Sequence, residues 1–331
     1  MEGLDAAAHQ SGTGWRKEMT VASTPHATKR NTTRPLDCIY VAASAHDARF
    51  TRICVASIRH FYPHVVLKLL AGGKLQPGLG EELARYWDVG AADVPAGDYG
   101  WGFVKLEPLF GKGGERFLVV DSDTVFAGPV LDVWAKSTAD FLVDDEQQTE
   151  VDTHRLYYDW RKVAAIDSAA RAPQFVFNTG QLFGSAGVLT RKDFAPWIDW
   201  IMPRRLKYPD CFMPGEQGIL NFVLNQESVR QGVRVERRKI MLWPGHGMEG
   251  LDARMVAQRE GPPVVVHWAG MKKRMLSDMA GSDLLLFFER LYYRCLPRPR
   301  LQRIIGVGRH ALTELRTRMR IRARTLRGMA K

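Results

Sequence analysis

Short apolar runs alternate with amphipathic segments in the first part of the chain. Asp37–Ala43 has the length and apolar content of a buried strand, and Val65–Leu70 and Arg116–Val120 are similar. Between them, Ala48–Phe61 repeats large apolar residues at helical spacing, and Phe103–Phe110 predicts a shorter helix. Strands that alternate with helices are typical of a layered α/β domain with a largely parallel sheet.

The second half of the chain has longer connections between its apolar segments. The pattern over Gln174–Gly184 predicts a strand, a turn and a strand, and Lys192–Leu206 and Glu216–Asn225 predict helices. Val233–Leu242 and Pro263–Trp268 have the composition of further strands. No internal repeat is present, so we expect one mixed, mostly parallel central sheet.

The composition is that of an ordinary globular protein. The chain has 331 residues, of which 45% are hydrophobic and 25% charged, and these values exclude collagen-like, coiled-coil and wholly disordered chains. No apolar run approaches the roughly 18 residues that span a bilayer, and no signal peptide is predicted. The four cysteines lie far apart without a CxxC pair, which excludes a zinc ribbon and favours a reducing cytosol.

The basic charge is concentrated at one end. Residues 290–331 contain twelve Arg and one Lys against one acid, a balance of +12, whereas the whole chain carries +11. The remainder is therefore nearly neutral, at −1. This distribution argues against a nucleic-acid-binding body, because only the tail would supply basic surface.

Two carboxylates directly follow one of the predicted strands. Phe117–Val120 leads into Asp121 and Asp123, and ligands of open α/β sheets bind beyond the carboxyl ends of strands. Alternate residues of an extended segment point the same way, so both acids can bind one Mg²⁺ or Mn²⁺ ion. A solvated turn in which an Asp caps the next helix is the alternative interpretation.

A histidine and a lysine follow another predicted strand. His267 ends the run Val264–His267 and could supply a third metal ligand. Lys273 lies six residues further on, past Gly270, where it could neutralise a diphosphate. A core histidine bonded to the backbone and a solvated lysine are the alternatives.

Three other polar sites accompany these residues. Asn178 precedes Gly180 in a predicted turn, and its amide could bind sugar hydroxyls. Glu216 and Gln217 open an apolar helix, where an acid also suits the helix dipole as a plain cap. Lys105 lies on a short helix before the Asp121 strand and could reach phosphates, or it could simply be solvated.

In chain order, these segments resemble the GT-A glycosyltransferases, in particular the glycogenin-like and lipopolysaccharide galactosyltransferase-like enzymes of glycosyltransferase family 8. The resemblance extends over about residues 36–275 and implies a Rossmann-like GT-A catalytic domain. The segments that carry it are the first strand Ile39–Ala43, the lysine helix Val104–Leu106, the DxD segment Leu118–Val125, the F-N-x-G turn Phe177–Gly180, the helix Glu216–Asn221 and the H-x-x-G-x-x-K motif His267–Lys273.

The resemblance implies a metal site and a phosphate site. Asp121, Asp123 and His267 would bind Mn²⁺ or Mg²⁺. Lys273 would hold the diphosphate of a nucleotide-sugar donor, with Lys105 nearby. The metal and the lysines would stabilise the charge on the leaving diphosphate without proton transfer.

The resemblance also implies sugar and nucleotide contacts. Asn178, Glu216 and Gln217 would contact the transferred sugar and are the expected catalytic residues. The remaining expected donor contacts are Ala43, Ser122 and Gly270. The family's usual Asp is replaced by Glu216, and small residues replace the acid at the nucleobase end of the first strand. Arg274 and Met275 replace the usual Pro-Trp after the last lysine.

We therefore expect an enzyme that moves a hexose from a nucleotide-diphosphate sugar, a UDP-sugar by resemblance, to a glycan or lipid-linked acceptor. Retention of the anomeric configuration is implied by the family alone, and inversion would follow if Glu216 acted as a base. The rival functions are a sugar-nucleotide nucleotidyltransferase and a noncatalytic nucleic-acid-binding protein. A nucleotidyltransferase would carry a Gly-rich basic loop, which residues 42–46 lack.

Outside the GT-A domain of residues 35–275 we predict a poorly ordered leader at 1–34 and a helical, Arg-rich tail at 276–331. Leu301–Leu326 places aliphatic residues near one helix face and arginines on much of the remainder. This pattern favours an anionic membrane surface as the partner of a cytoplasmic, peripheral protein and not a nucleic acid. A helix packed on the catalytic domain is the alternative.

Overall fold

The computed structural model describes residues 34–271, 275–308, 311, 312 and 319. Residues 1–33 of the predicted leader and the predicted phosphate ligand Lys273 lie outside the described residues. In the predicted tail, residues 309, 310, 313–318 and 320–331 lie outside them as well.

The described chain is built from alternating strands and helices. The strands are β1 (Cys38–Ala43), β2 (Leu67–Ala71), β3 (Val89–Ala91), β4 (Arg116–Asp121), β5 (Thr124–Phe126), β6 (Phe141–Asp144), β7 (Gln181–Ser185), β8 (Ile198–Asp199), β9 (Arg205–Leu206), β10 (Val235–Arg238), β11 (Met241–Leu242) and β12 (Val265–His267). The helices are α1 (Ala48–Phe61), α2 (Leu79–Trp87), α3 (Leu131–Ala135), α4 (Glu150–Leu156), α5 (Trp160–Ile166), α6 (Arg191–Phe194), α7 (Glu216–Arg230), α8 (Ala253–Ala257) and α9 (Ser282–Arg294), with 3₁₀ helices at Phe103–Phe110 and Leu276–Asp278.

Seven strands form the central sheet in the order β10-β6-β7-β4-β1-β2-β3. Strand β1 pairs in parallel with β2 and β4, whereas β7 runs antiparallel to both β4 and β6. The predicted mixed, mostly parallel sheet is therefore confirmed. The carboxyl ends of β1, β2 and β4 consequently lie at one edge, where ligands of such sheets bind.

A smaller sheet, in the order β11-β12-β5, begins where β4 ends. Strand β12 pairs antiparallel with β5, which puts His267 opposite Thr124. Because β5 begins directly after the turn at Ser122 and Asp123, this pairing brings the end of β12 beside the end of β4.

Both faces of the central sheet are covered. On β1, Ile39 and Val41 face a core shared with α1 and α9, whereas Cys38 and Tyr40 face a second core shared with α7. Burial on both faces explains why these strands appear in the sequence as continuous apolar runs instead of alternating ones.

The prediction of one long helix over Lys192–Leu206 is wrong. In the structure α6 ends at Phe194, and the β8–β9 hairpin follows it. Proline explains the difference, because Pro196 and Pro203 lack the N–H that a continuing helix needs. Likewise, only β7 is a regular strand in the predicted strand–turn–strand Gln174–Gly184.

The structure continues the core beyond residue 275, where we predicted the tail to begin. In α9, Phe288 is fully buried, and Tyr292 stacks on Trp87 with ring centroids 5.0 Å apart. Buried Glu289 pairs with Arg49 of α1 at 2.7 Å. Residues 299–308 are also helical. None of the described helices has the length and apolar character needed to cross a bilayer.

Candidate functional site

The acidic turn after β4 is held by backbone hydrogen bonds. Asp121 N–H donates to Gly180 O at 2.9 Å, and Ser122 N–H donates to Ala42 O at 3.0 Å. Asp123 is only 3% exposed, and its carbonyl accepts from Trp268 N–H at 2.9 Å. Neighbouring strands therefore position the turn, which is not the solvated loop of the alternative interpretation.

His267 reaches both acids from the end of β12. Its Nε2 atom lies 3.3 Å from Asp123 Oδ1 and 3.8 Å from Asp121 Oδ2. The imidazole is buried and stacks on Trp243 with ring centroids 5.3 Å apart. The structure thus brings together the three predicted metal ligands, which are distant in the sequence.

The donor set fits a divalent cation. One ligand atom from each of Asp121, Asp123 and His267 lies within 4.8 Å of the others, and no other such group occurs among the described residues. Both ring nitrogens of His267 are buried, and neither has a hydrogen-bond partner among the described residues. A bound metal ion would satisfy one of them. Two carboxylates and an imidazole suit Mn²⁺ or Mg²⁺.

Gly180 makes room for the imidazole. A Cβ atom at this position would lie 2.3 Å from both Cε1 and Nδ1 of His267. It would also lie 2.8 Å from Asn178 Oδ1, which accepts a hydrogen bond from Gly180 N–H. Asn178 therefore uses its amide oxygen to stabilise this turn.

Lys105 connects the acidic turn to the start of α7. Its Nζ atom lies 2.9 Å from Asp121 Oδ1 and 2.5 Å from Glu216 Oε1, and the side chain is 9% exposed. Burial would lower the pKa of Lys105, but the two carboxylates outweigh this effect and raise the pKa. The residue is therefore a permanent buried cation rather than a solvated lysine.

Thr179 completes this network and was not singled out by the sequence analysis. Its hydroxyl donates to Glu216 Oε1 at 2.7 Å, and Lys105 Nζ donates to its carbonyl at 3.1 Å. Its backbone N–H donates to Gln217 Oε1 at 3.3 Å. Its place between Asn178 and Gly180 in the predicted turn was the available sequence signal.

The first turn of α7 is tied to the surrounding chain. Gln217 Nε2 donates to Leu156 O at 3.0 Å, and Glu216 is 4% exposed. One turn later, Asn221 exchanges two hydrogen bonds of 2.9 Å with the backbone of Phe177. The helix therefore holds the Asn178 turn in position through its own polar side chains.

The remaining predicted donor contacts lie around the same edge. Ala43 ends β1, and its carbonyl accepts from Gly72 N–H at 3.2 Å. Ser122 Oγ is buried with no hydrogen-bond partner among the described residues, and Gly270 is exposed with φ 71°. Their roles, like that of Lys273, stay predictions.

A crevice of 1180 Å³ opens beyond the carboxyl ends of β1, β2 and β3. It is lined by Ser44 and His46 after β1, by Gly72 after β2, and by Asp98 and Gly100 from the loop before Lys105. Gly100 lies two residues before Gly102, which packs closely against Glu216, and the volume is large enough for a nucleotide-sized ligand.

Comparisons with known proteins support the fold. No protein-family model and no curated protein matches the sequence. The solved galactosyltransferase LgtC, in complex with donor and acceptor sugar analogues, matches with a TM-score of 0.51 and 15% identity over 80% of this chain and 99% of LgtC. The bifunctional glycosyltransferase WbbM matches with a TM-score of 0.51 and 13% identity over 77% of this chain. The match spans half of WbbM. The chain therefore has the GT-A fold that its motifs implied.

Proposed function

We propose that the protein is a metal-dependent glycosyltransferase that moves a hexose from a nucleotide-diphosphate sugar, a UDP-sugar by resemblance, to a glycan or lipid-linked acceptor. The observation that carries this proposal is the convergence of Asp121, Asp123 and His267. Asp121 ends β4 at the sheet edge formed by the carboxyl ends of β1, β2 and β4, and the nucleotide-sized crevice opens beyond the ends of β1, β2 and β3. The similarity to LgtC, which was solved with donor and acceptor sugar analogues, supports it through the fold.

The site residues have distinct proposed roles. Asp121, Asp123 and His267 would hold Mn²⁺ or Mg²⁺, which when bound supplies positive charge for the leaving diphosphate. Glu216 carries negative charge next to the expected sugar position and can stabilise the cationic character of the sugar ring. Lys105 orients Glu216, because its ammonium lies 2.5 Å from the carboxylate.

A screen of nucleotide sugars for Mn²⁺-dependent hydrolysis and transfer tests this function. We expect one nucleotide sugar to be consumed, and Asp123→Asn to reduce the rate more than about 100-fold through loss of a metal ligand. Glu260→Gln is the matched control, since Glu260 is exposed and precedes β12 at the end away from His267. Equal activity of the Asp123 variant would refute the metal site.

The nucleotidyltransferase alternative gives a different product. Consumption of a nucleoside triphosphate and a hexose 1-phosphate, with release of diphosphate, would overturn the proposed transferase. The connection between β1 and α1, residues 44–47, contains neither glycine nor arginine, and this favours the transferase. Retention of the anomeric configuration is the proposed stereochemistry. An anomeric proton signal that shows the inverted configuration in the product would exclude it.

We also propose that the Arg-rich tail attaches the protein to the anionic cytoplasmic face of a membrane. In the helical residues 299–308, Ile304 is 70% and Leu301 47% exposed. Arg300 and Arg303 lie beside Ile304 around an apolar groove. Exposed aliphatic side chains with flanking arginines support binding to anionic lipid, since the apolar and cationic contributions add.

Vesicle cosedimentation tests this attachment. We expect binding to vesicles that contain phosphatidylglycerol, and a loss of about fivefold in Ile304→Glu, because an exposed apolar side chain that would insert into the lipid is replaced by a negative charge. Val151→Glu is the control, since Val151 is 75% exposed on α4. Equal binding by both variants, or equal binding to uncharged vesicles, would remove the tail from the explanation.

A further inference from the structure

A single large aromatic side chain is exposed beside the proposed active site. Trp101 is 71% exposed. A Cβ atom on Gly215, the residue before α7, would lie 3.6 Å from Trp101 Cγ and 2.9 Å from its carbonyl oxygen. The indole therefore lies next to the turn that presents Glu216.

The backbone around Trp101 is held in one conformation. Gly100 and Gly102 have φ values of 73° and 76°, which L side chains rarely adopt. A Cβ atom on Gly100 would meet Arg204 O at 2.8 Å, and one on Gly102 would meet Glu216 Oε2 at 1.6 Å. Both glycines are thus required by close packing, and the second by Glu216 itself.

The residues on either side are anchored in the interior. Tyr99 is fully buried, donates from its hydroxyl to Pro95 O at 2.8 Å and lies under the Arg204 guanidinium. Phe103 is also buried. The backbone that carries the exposed indole, between two anchored aromatic residues, is therefore preorganised for a ligand, because little backbone freedom is lost on binding.

We propose that Trp101 is the stacking platform for the acceptor, and that the acceptor presents a pyranose ring to it. This inference rests on the proposed function. Of the residues expected to contact the donor sugar, Glu216 is buried at 4% exposure and Asn178 and Gln217 are half-buried, whereas Trp101, beside the turn before Glu216, is 71% exposed to solvent. An acceptor must approach the donor sugar from solvent, and the apolar face of an indole matches the C–H face of a pyranose.

Saturation-transfer NMR with methyl glycosides of glucose, galactose and lactose tests sugar binding without turnover. We expect signals on the ring C–H protons of at least one glycoside, which are lost in Trp101→Ala and regained in Trp101→Phe. Tyr208→Ala is the control, since Tyr208 is a partly exposed aromatic residue that lines a different cavity.

Kinetics with the donor found in the nucleotide-sugar screen gives the second readout. We expect Trp101→Ala to raise the KM for the glycoside acceptor about tenfold, an effect of the size of one aromatic stacking contact. A rise in the donor KM instead, or an unchanged acceptor KM, would overturn the proposal.

The two proposals fail in different ways. Trp101-dependent sugar binding without turnover of any donor would contradict the glycosyltransferase and leave the sugar platform. Donor turnover without Trp101-dependent glycoside binding would contradict the platform and leave the transferase.

Discussion

Lys105 and Glu216 form a buried ion pair with an Nζ–Oε1 distance of 2.5 Å, although they belong to elements that are far apart in the chain. The same ammonium lies 2.9 Å from Asp121 Oδ1. One cation therefore joins the proposed metal site to the proposed sugar site. The buried carboxylate of Glu216 and the half-buried carboxylate of Asp121 share this single positive charge, so the three groups should be energetically coupled.

Replacement of Lys105 should destabilise the protein strongly. Lys105→Met leaves Glu216 buried without its cation, and we expect a loss of about 3 kcal/mol in the free energy of unfolding. The double variant Lys105→Met/Glu216→Gln should lose less than the sum of the two single variants. Urea unfolding measures all three, with exposed Lys112→Ala as the control. Additive losses would show that the pair is not coupled.

Gly180→Ala should impair metal binding more than folding. The added methyl group would lie 2.3 Å from the His267 ring, so the imidazole must shift relative to Asp121 and Asp123. We expect the affinity for Mn²⁺ to fall at least about tenfold, as when a metal ligand is misoriented. Electron paramagnetic resonance of free Mn²⁺ measures the affinity.

Gly113→Ala is the matched control for this variant. A Cβ atom on Gly113 has open space around it, so its substitution should leave the affinity for Mn²⁺ at the wild-type value. If Gly180→Ala also binds Mn²⁺ normally, His267 is not a ligand of the ion.

Much of the site could be predicted because it follows buried strands. Apolar runs end at Asp121 and at His267. Ligands of open α/β sheets bind beyond the carboxyl ends of the strands, and this is sufficient to place the acids in a cleft. The partnership of the two elements depends on the antiparallel pairing of β12 with β5, which local patterns do not encode. The order of the motifs along the chain indicated that these two elements lie together.

Other parts of the structure depend on tertiary contacts alone. Thr179 has no unusual sequence context, and its importance comes from the convergence of Lys105 and Glu216 on it. Trp101 is conspicuous only because the packed structure leaves it exposed. In residues 192–206 the apolar spacing favoured a helix, whereas Pro196 and Pro203 decided the structure.

Only one cysteine should react in the folded protein. Cys295 is exposed, whereas the other three are buried. Burial raises the pKa of Cys38 to about 11 and that of Cys54 to about 12, so their thiolates are scarce near neutral pH. Ellman's reagent should therefore titrate one thiol before unfolding and four in guanidinium.

Cys295→Ser is the control for the thiol assay and should abolish the reaction of the folded protein. Rapid reaction of two or more thiols in the wild-type chain would show that the packing around at least one of the three buried cysteines opens easily.

Acid should weaken the packing of α1 against α9 through His60. Burial lowers the pKa of His60, and Arg259 acts in the same direction. The imidazole makes edge contacts with Phe287 and Phe288 of α9. Because the unfolded chain binds the proton more readily, the free energy of unfolding should fall as the pH drops below about 6.5.

His60→Gln should lose less stability between about pH 8 and pH 5.5 than the wild type does. Urea unfolding followed by tryptophan fluorescence measures the difference, and His64→Gln, at an exposed site, should behave like the wild type. An equal loss in the wild type and His60→Gln would assign the acid sensitivity to other groups.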